Sequence, residues 1–228
     1  MLVRGNKSNP KCWVPGQDLG REMRAEYYRQ LGALTAQLHN HAEQFAPPPG
    51  FALRKMDIVF PFDHGNFLEK ASDPLGLVTS ERRILFESVA VRVKEVLDTL
   101  YASSHPPFVL HADLHQWNIR VHRGQVSALD FDDSMIGHPV QDIAITYYYI
   151  QAHPDYVALK DAYRTGYETL RPWPVADEAQ LATLIAWREL DLLNFGLYTD
   201  NPQLQTRLPA FIERAEGRLH QFSLQSHL

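Results

Sequence analysis

The sequence predicts a mainly α-helical chain with one small β-hairpin at its centre. Three observations carry that prediction. Apolar residues recur at helical spacing through most of the 228 residues. Period-two alternation is confined to a short stretch between Ile119 and Phe131. The repeated exchange of strand and helix that marks a doubly wound sheet is missing.

Residues 1–18 read as loop, with turn signals at Asn9-Pro10 and Pro15-Gly16. The first periodic segment starts at Leu19. Tyr27, Leu31, Leu34 and Leu38 then fall on one helical face, and the helix ends before Pro47-Pro48-Pro49-Gly50. Residues 51–72 read as a loop excursion with one short helix. Asp73-Pro74 fits a helix start, with Asp as cap and Pro in the first turn. A long helix follows from Ser80 to Leu100, striped by Leu85, Val89, Val93, Val96 and Leu100. Phe108-Val109-Leu110 is a short apolar run leading into the centre. Ile119 and Val121 sit on an outgoing strand, Arg123-Gly124 on a turn, and Val126 to Phe131 on the return strand. Asp130 is thereby expected at a strand end. Pro139 opens a helix on which Val140, Ile143, Tyr147 and Ile150 share a face. In the run Tyr147-Tyr148-Tyr149, two of the three are expected in the core. Further helices are predicted from Asp155 to Leu170, around Leu181, Leu184, Ile185, Arg188 and Leu192, and around Leu208, Phe211, Ile212, Ala215 and Leu219.

Composition narrows the function classes. Hydrophobic residues at 45% and charged residues at 21% are ordinary for a globular chain of one large domain. Lys+Arg 22 against Asp+Glu 27 gives a net charge of -5, and the basic residues are dispersed, which argues against nucleic acid as a partner. The lone Cys12 excludes an intrachain disulfide scaffold and a cysteine-based zinc cluster. No apolar run reaches the roughly 18 residues of a membrane span, and no signal-peptide core follows Leu2-Val3, so the expected location is the cytoplasm.

The chemistry concentrates in HADLHQWNIR VHRGQVSALD FDDSMIGHPV QD, from His111 to Asp142. Phosphoryl transfer needs a carboxylate to orient the acceptor hydroxyl and take its proton, and hard oxygen ligands for magnesium. Asp113 fits the base, and Asn118 fits a metal ligand on the same tight loop. Asp130, Asp132 and Asp133 supply further carboxylates from beyond the hairpin. His111 suits a brace for the loop; His115 either lines the acceptor pocket or faces solvent. Two other readings stay open on these residues. One is a hydrolytic metal site made of His111, Asp113 and His115 with Asp130 or Asp132. The other is a purely structural polar turn. Neither G-x-G-x-x-G nor G-x-x-x-x-G-K-[ST] occurs anywhere in the chain.

The ordered motifs resemble the aminoglycoside phosphotransferase superfamily, which includes choline, ethanolamine and homoserine-kinase-like enzymes. His111-Ala112-Asp113-Leu114-His115-Gln116-Trp117-Asn118 is similar to its H-G-D-x-H-x-x-N loop. Asp130-Phe131-Asp132-Asp133 is similar to its metal-binding segment, and Gly137-His138-Pro139-Val140-Gln141-Asp142-Ile143-Ala144 to its G-x-P-x-x-D-[IL]-A. Leu31 to His39 resembles its L-G-x-x-L-A-x-L-H helix, and Tyr163 to Pro172 its late helical segment. The D-D…G-x-x-V-Q-D detail is similar to a bacterial stress-response branch that phosphorylates protein Ser and Thr.

The resemblance implies the C-terminal lobe of a protein-kinase-like fold, covering residues 19–228 with a hinge-side remnant at 1–18. It implies ATP and Mg2+ as cofactors, Asp113 as base with His111 and His115 beside it, and Asn118, Asp130 and Asp132 around the metal. Asp142 becomes the buried brace of the loop. Two departures stand out. Ala112 replaces the usual Gly. The β-rich N-terminal lobe that carries the family's phosphate-contacting Lys is expected to be missing, since Lys7 and Lys11 lie in a turn-rich stretch and Arg54, Lys55 and Lys70 follow the first helix. The expected function is therefore phosphoryl transfer to a small-molecule alcohol of the aminoglycoside, choline or homoserine type or to a protein Ser/Thr hydroxyl, weak or inactive in this chain alone. The alternatives are a non-catalytic binding module or half of a split kinase, paired with a separate N-lobe or a second copy through Trp13, Trp117 and the tyrosine run, and a metal-dependent hydrolase.

Overall fold

A computed structural model describes residues 14–62, 65–69 and 76–225. Cys12, Lys7, Lys11, Lys70, Trp13 and the Asp73-Pro74 helix start lie outside the described residues. The described elements are β1 (Gln17–Asp18), α1 (Ala25–Glu43), α2 (Ser80–Tyr101), β2 (Phe108–Leu110), β3 (Ile119–His122), β4 (Gln125–Ala128), β5 (Met135–Gly137), α3 (Pro139–Ile150), α4 (Tyr156–Glu168), α5 (Glu178–Tyr198) and α6 (Pro202–Gln225). The mainly helical prediction holds, with the hairpin where the alternation placed it.

The hairpin β3–β4 turns at Arg123 (φ 50) and Gly124 (φ 76), and these left-handed angles give the tight two-residue turn whose twist suits paired strands. Three strands escaped the sequence reading. β1 pairs antiparallel with β3 through Gln17↔Val121 and Asp18↔Arg120. β2 pairs antiparallel with β5 through Val109↔Ile136. All three have two or three residues, too few for a period to register. Leu19–Arg21 forms a 3-10 turn rather than the start of the first helix, which begins at Ala25. In the 51–72 excursion no helix forms among the described residues; Lys55 instead bridges to Ile136.

Two glycines set the closest helix crossing. A Cβ on Gly32 of α1 would lie 1.9 Å from the Tyr163 carbonyl oxygen, and one on Gly166 of α4 would lie 1.8 Å from that of Arg29. The two backbones touch, and only hydrogen fits between them. α3 is buried almost all round, from Val140 to Tyr148, and runs through the middle of the core. Its start is tied down by Gln141, whose side chain accepts from the His138 amide at 2.9 Å and from the Tyr101 hydroxyl at 3.0 Å and donates to the Met56 carbonyl at 2.8 Å. Tyr147 and Tyr148 are buried while Tyr149 is half-buried, the expected division of a triple run. α3 is thus a fixed post against which the loop after β2 is built.

Candidate active site

The loop after β2 hangs from α3 at two points. The Asp142 carboxylate is fully buried; its Oδ1 accepts from the Ala112 amide at 2.8 Å, and its Oδ2 from the His111 amide at 3.2 Å. One helical turn on, the Thr146 hydroxyl donates to the Leu114 carbonyl at 2.8 Å. Asp142 is itself held from α1, because His39 Nε2 lies 3.1 Å from Oδ2 while His39 Nδ1 lies 2.9 Å from the Tyr167 hydroxyl. Sequence reading placed His39 only within the helix pattern; its contact to Asp142 spans 103 residues and left no local signal. Ala112 takes φ 64, the left-handed region that costs a non-glycine residue about 1–2 kcal/mol. Asp142 holds it there by accepting its amide.

His111 has both ring nitrogens on backbone. Nδ1 accepts from the Asp113 amide at 3.3 Å, which leaves Nε2 as the donor to the Leu129 carbonyl at 2.8 Å. The residue expected among the catalytic groups therefore sits as a buried brace between the Asp113 loop and the segment carrying Asp130. The return strand stops at Ala128. Asp130 is two residues beyond it, at φ 60, and not at the strand end. Leu129, bonded by its amide to the Asn118 carbonyl at 2.9 Å, makes that step.

Asp113 is surrounded by donors. Asn118 Nδ2 donates to its Oδ2 at 2.8 Å and to its main-chain carbonyl at 3.0 Å. His115 Nδ1 accepts from the Trp117 amide at 3.1 Å, so its Nε2 carries the proton facing Asp113 Oδ2 at 3.3 Å. His115 thus turns toward the site rather than to solvent, and its ring lies 4.5 Å from that of Tyr149. Arg188 Nη2, from α5, donates to Oδ1 at 2.6 Å. Burial alone would raise the Asp113 pKa, but the His115 hydrogen bond and the Arg188 charge outweigh it and hold it below the ordinary carboxylate value. Arg188 is the site residue that sequence reading missed. Its one signal was a charge on the otherwise apolar stripe of Leu181, Leu184 and Leu192.

The acidic segment has the opposite electrostatics. Asp130, Asp132 and Asp133 are exposed. Loss of solvent on its protein side and the nearby Asp113 raise the Asp133 pKa against the opposing charge of Arg188, with Asp130 and Asp132 adding to the rise. A cation placed near them would relieve that repulsion. With its nitrogen committed to Asp113, Asn118 keeps its amide oxygen as the remaining donor. Oxygen donors of this kind suit a hard divalent ion. Among the described residues no group of three or more His, Cys, Asp or Glu converges as a metal cage, and both imidazoles are already engaged. The hydrolytic site built on His111 and His115 thus lacks free ring nitrogens. Trp117 is half exposed beside the loop. No described helix is long and apolar enough to cross a membrane.

Residues 12–173 match the family model described as phosphotransferase enzyme family. No curated protein sequence matches the chain. Among solved structures, the chain is similar to a microcompartment-associated aminopropanol kinase at 21% identity and TM-score 0.75, covering 93% of this chain and 67% of that one. An amicoumacin kinase in complex with AMP-PNP and Ca2+ matches at 19% identity and TM-score 0.65, covering 92% and 66%. A choline/ethanolamine kinase family protein from Mesorhizobium loti matches at 17% identity and TM-score 0.59, covering 86% and 63%. At these identities the likeness is one of fold. The chain spans about two thirds of the length of the solved chains it matches.

Proposed function

The chain belongs to the phosphotransferase enzyme family, and from that premise we propose that it transfers the terminal phosphoryl group of ATP to the hydroxyl of a small-molecule alcohol at Asp113. The observation that carries the reading is the Asp113 carboxylate itself, held ionised and oriented by Asn118, His115 and Arg188 on a loop braced from α3. An ionised carboxylate fixed in this way can align an acceptor hydroxyl and take its proton. As the acceptor oxygen bonds to phosphorus, the bond from phosphorus to the departing nucleoside diphosphate breaks and the hydroxyl proton passes to the Asp113 carboxylate.

Asn118, Asp130 and Asp132 would hold Mg2+. When bound, the ion neutralises charge on the phosphate oxygens. Asp142, His39 and His111 keep the loop in shape and touch no reactant. Neither glycine-rich phosphate motif occurs in this sequence, and turnover by this polypeptide alone is expected to be slow. Similar folds in an aminopropanol kinase and a choline/ethanolamine kinase family protein support an amino alcohol as the first acceptor to try. A protein Ser/Thr hydroxyl is the alternative acceptor.

Product analysis tests the reading. Incubation with γ-labelled ATP, magnesium and a panel of amino alcohols should yield a labelled phosphate ester. Release of free phosphate only, at a rate indifferent to acceptor, would instead support hydrolysis, and no labelled product of either kind would support the binding-module reading.

A further inference from the structure

Asp113 has two carboxylate oxygens, and they are held very differently. Oδ1 meets Arg188 Nη2 at 2.6 Å, inside the core. Oδ2 meets Asn118 at 2.8 Å and His115 at 3.3 Å, on the more open side. The Arg188 side chain is 7% exposed, against 16% for Asp113 and 14% for His115. One oxygen is thus gripped by a charged fork from α5, and the other by two donors of the loop itself.

The guanidinium cannot follow Asp113 if that side chain moves. Its Nη1 is fixed to Asp191 Oδ2 at 2.9 Å, one turn along the same helix, and Nη2 also reaches the Tyr149 hydroxyl at 3.3 Å. Burial disfavours its charge, but Tyr149, Asp191 and Asp113 more than offset this and keep it ionised. Among the described residues its Nε is buried with no partner. A role in simple stability explains this poorly, because buried ion groups are often no more stabilising than apolar residues of the same volume. Its fork is buried and turned onto Asp191, Asp113 and Tyr149.

We propose that Arg188 is the positioning residue for Asp113, fixing from α5 the carboxylate that Asn118 and His115 orient from within the loop. This deepens the phosphotransfer reading and rests on it for the identity of the acceptor. The planar fork matters here as well as the charge, since a lysine ammonium offers neither the plane nor the second anchored nitrogen.

The test compares wild type, Arg188→Lys and Arg188→Met in the full chain by two readouts. In the first, hydrogen exchange of the 111–118 amides should speed up by about tenfold or more in Arg188→Met, while α1 and α3 keep their protection. In the second, kcat with an acceptor that wild type phosphorylates should fall by about a hundredfold in Arg188→Met and about tenfold in Arg188→Lys, with acceptor KM within about threefold, as expected for a misplaced catalytic group. If Arg188→Met fails to fold, Arg188→Lys decides by the same measurements. Wild-type exchange and wild-type kcat in Arg188→Lys would overturn the proposal. So would loosened exchange spread over every helix, which marks a merely structural role. If wild type phosphorylates no acceptor, the phosphotransfer reading fails, and the exchange readout still rules on Arg188: a change confined to 111–118 upholds the positioning role and no change rejects it.

Discussion

Ala112 shows how a single residue records the demands of this site. Its φ of 64 suits glycine, yet its methyl group is buried at 3% exposure. Removing the methyl relieves about 1 kcal/mol of backbone strain and forfeits about 0.8 kcal/mol of apolar burial. Ala112→Gly should therefore leave urea-unfolding stability nearly unchanged, whereas Ala112→Val, branched at a left-handed position, should cost about 2 kcal/mol or more. Asp113 makes a second test at this scale. Its folded pKa is depressed by His115 and Arg188 against burial. The unfolded chain binds the proton more readily, so the pairing stabilises the fold above the ordinary value of 3.8, and this contribution is lost as pH falls through the depressed folded value. Unfolding free energies of wild type and Asp113→Asn should thus differ by a constant amount from neutrality down to 3.8 and converge only below it. A gap that closes already near neutrality would contradict the ion pair.

Helices were the legible elements, because each repeats its apolar face over several turns. Ser80 to Leu100 was read within one residue of the observed α2, whose cap is the Thr79 hydroxyl accepting from the Arg82 amide at 3.3 Å. Short strands carry no such repetition. β2 and β5 exist because Phe108 to Leu110 and Met135 to Gly137 meet across an antiparallel register, a fact of the folded chain alone. The glycine pair Gly32 and Gly166 belongs between these cases: both residues were part of recognisable patterns, but their packing role needed the α1–α4 crossing to be seen. Gly32→Ala or Gly166→Ala must push two backbones apart, with a cost of about 1–3 kcal/mol or more, the range for overpacked cores. Thermal or urea unfolding checks it; wild-type stability in either variant would mean that the helices do not touch where the structure puts them. Since α1 carries His39, the same variants should also weaken the hold on Asp142.

Across the whole molecule, the candidate site gathers four stretches that are distant in sequence: α1 through His39, the loop from His111 to Asn118, the acidic segment at Asp130 to Asp133, and α5 through Arg188. The middle two were legible because Asp113, Asn118 and Asp130 follow one another at motif spacing. The outer two were not, because a charge on a helix stripe acquires meaning only when its partner arrives from 75 residues away. The deep half of the site, Asp142 with its three donors, keeps the shallow half in place. Asp113 is the proposed proton acceptor in phosphoryl transfer. Its most direct test measures acceptor-dependent transfer from γ-labelled ATP, with magnesium, by wild type and Asp113→Ala at matched folding. The expected result is slow ester formation by wild type that falls by about a hundredfold or more in the variant. Ester formation at equal rates in both would contradict it.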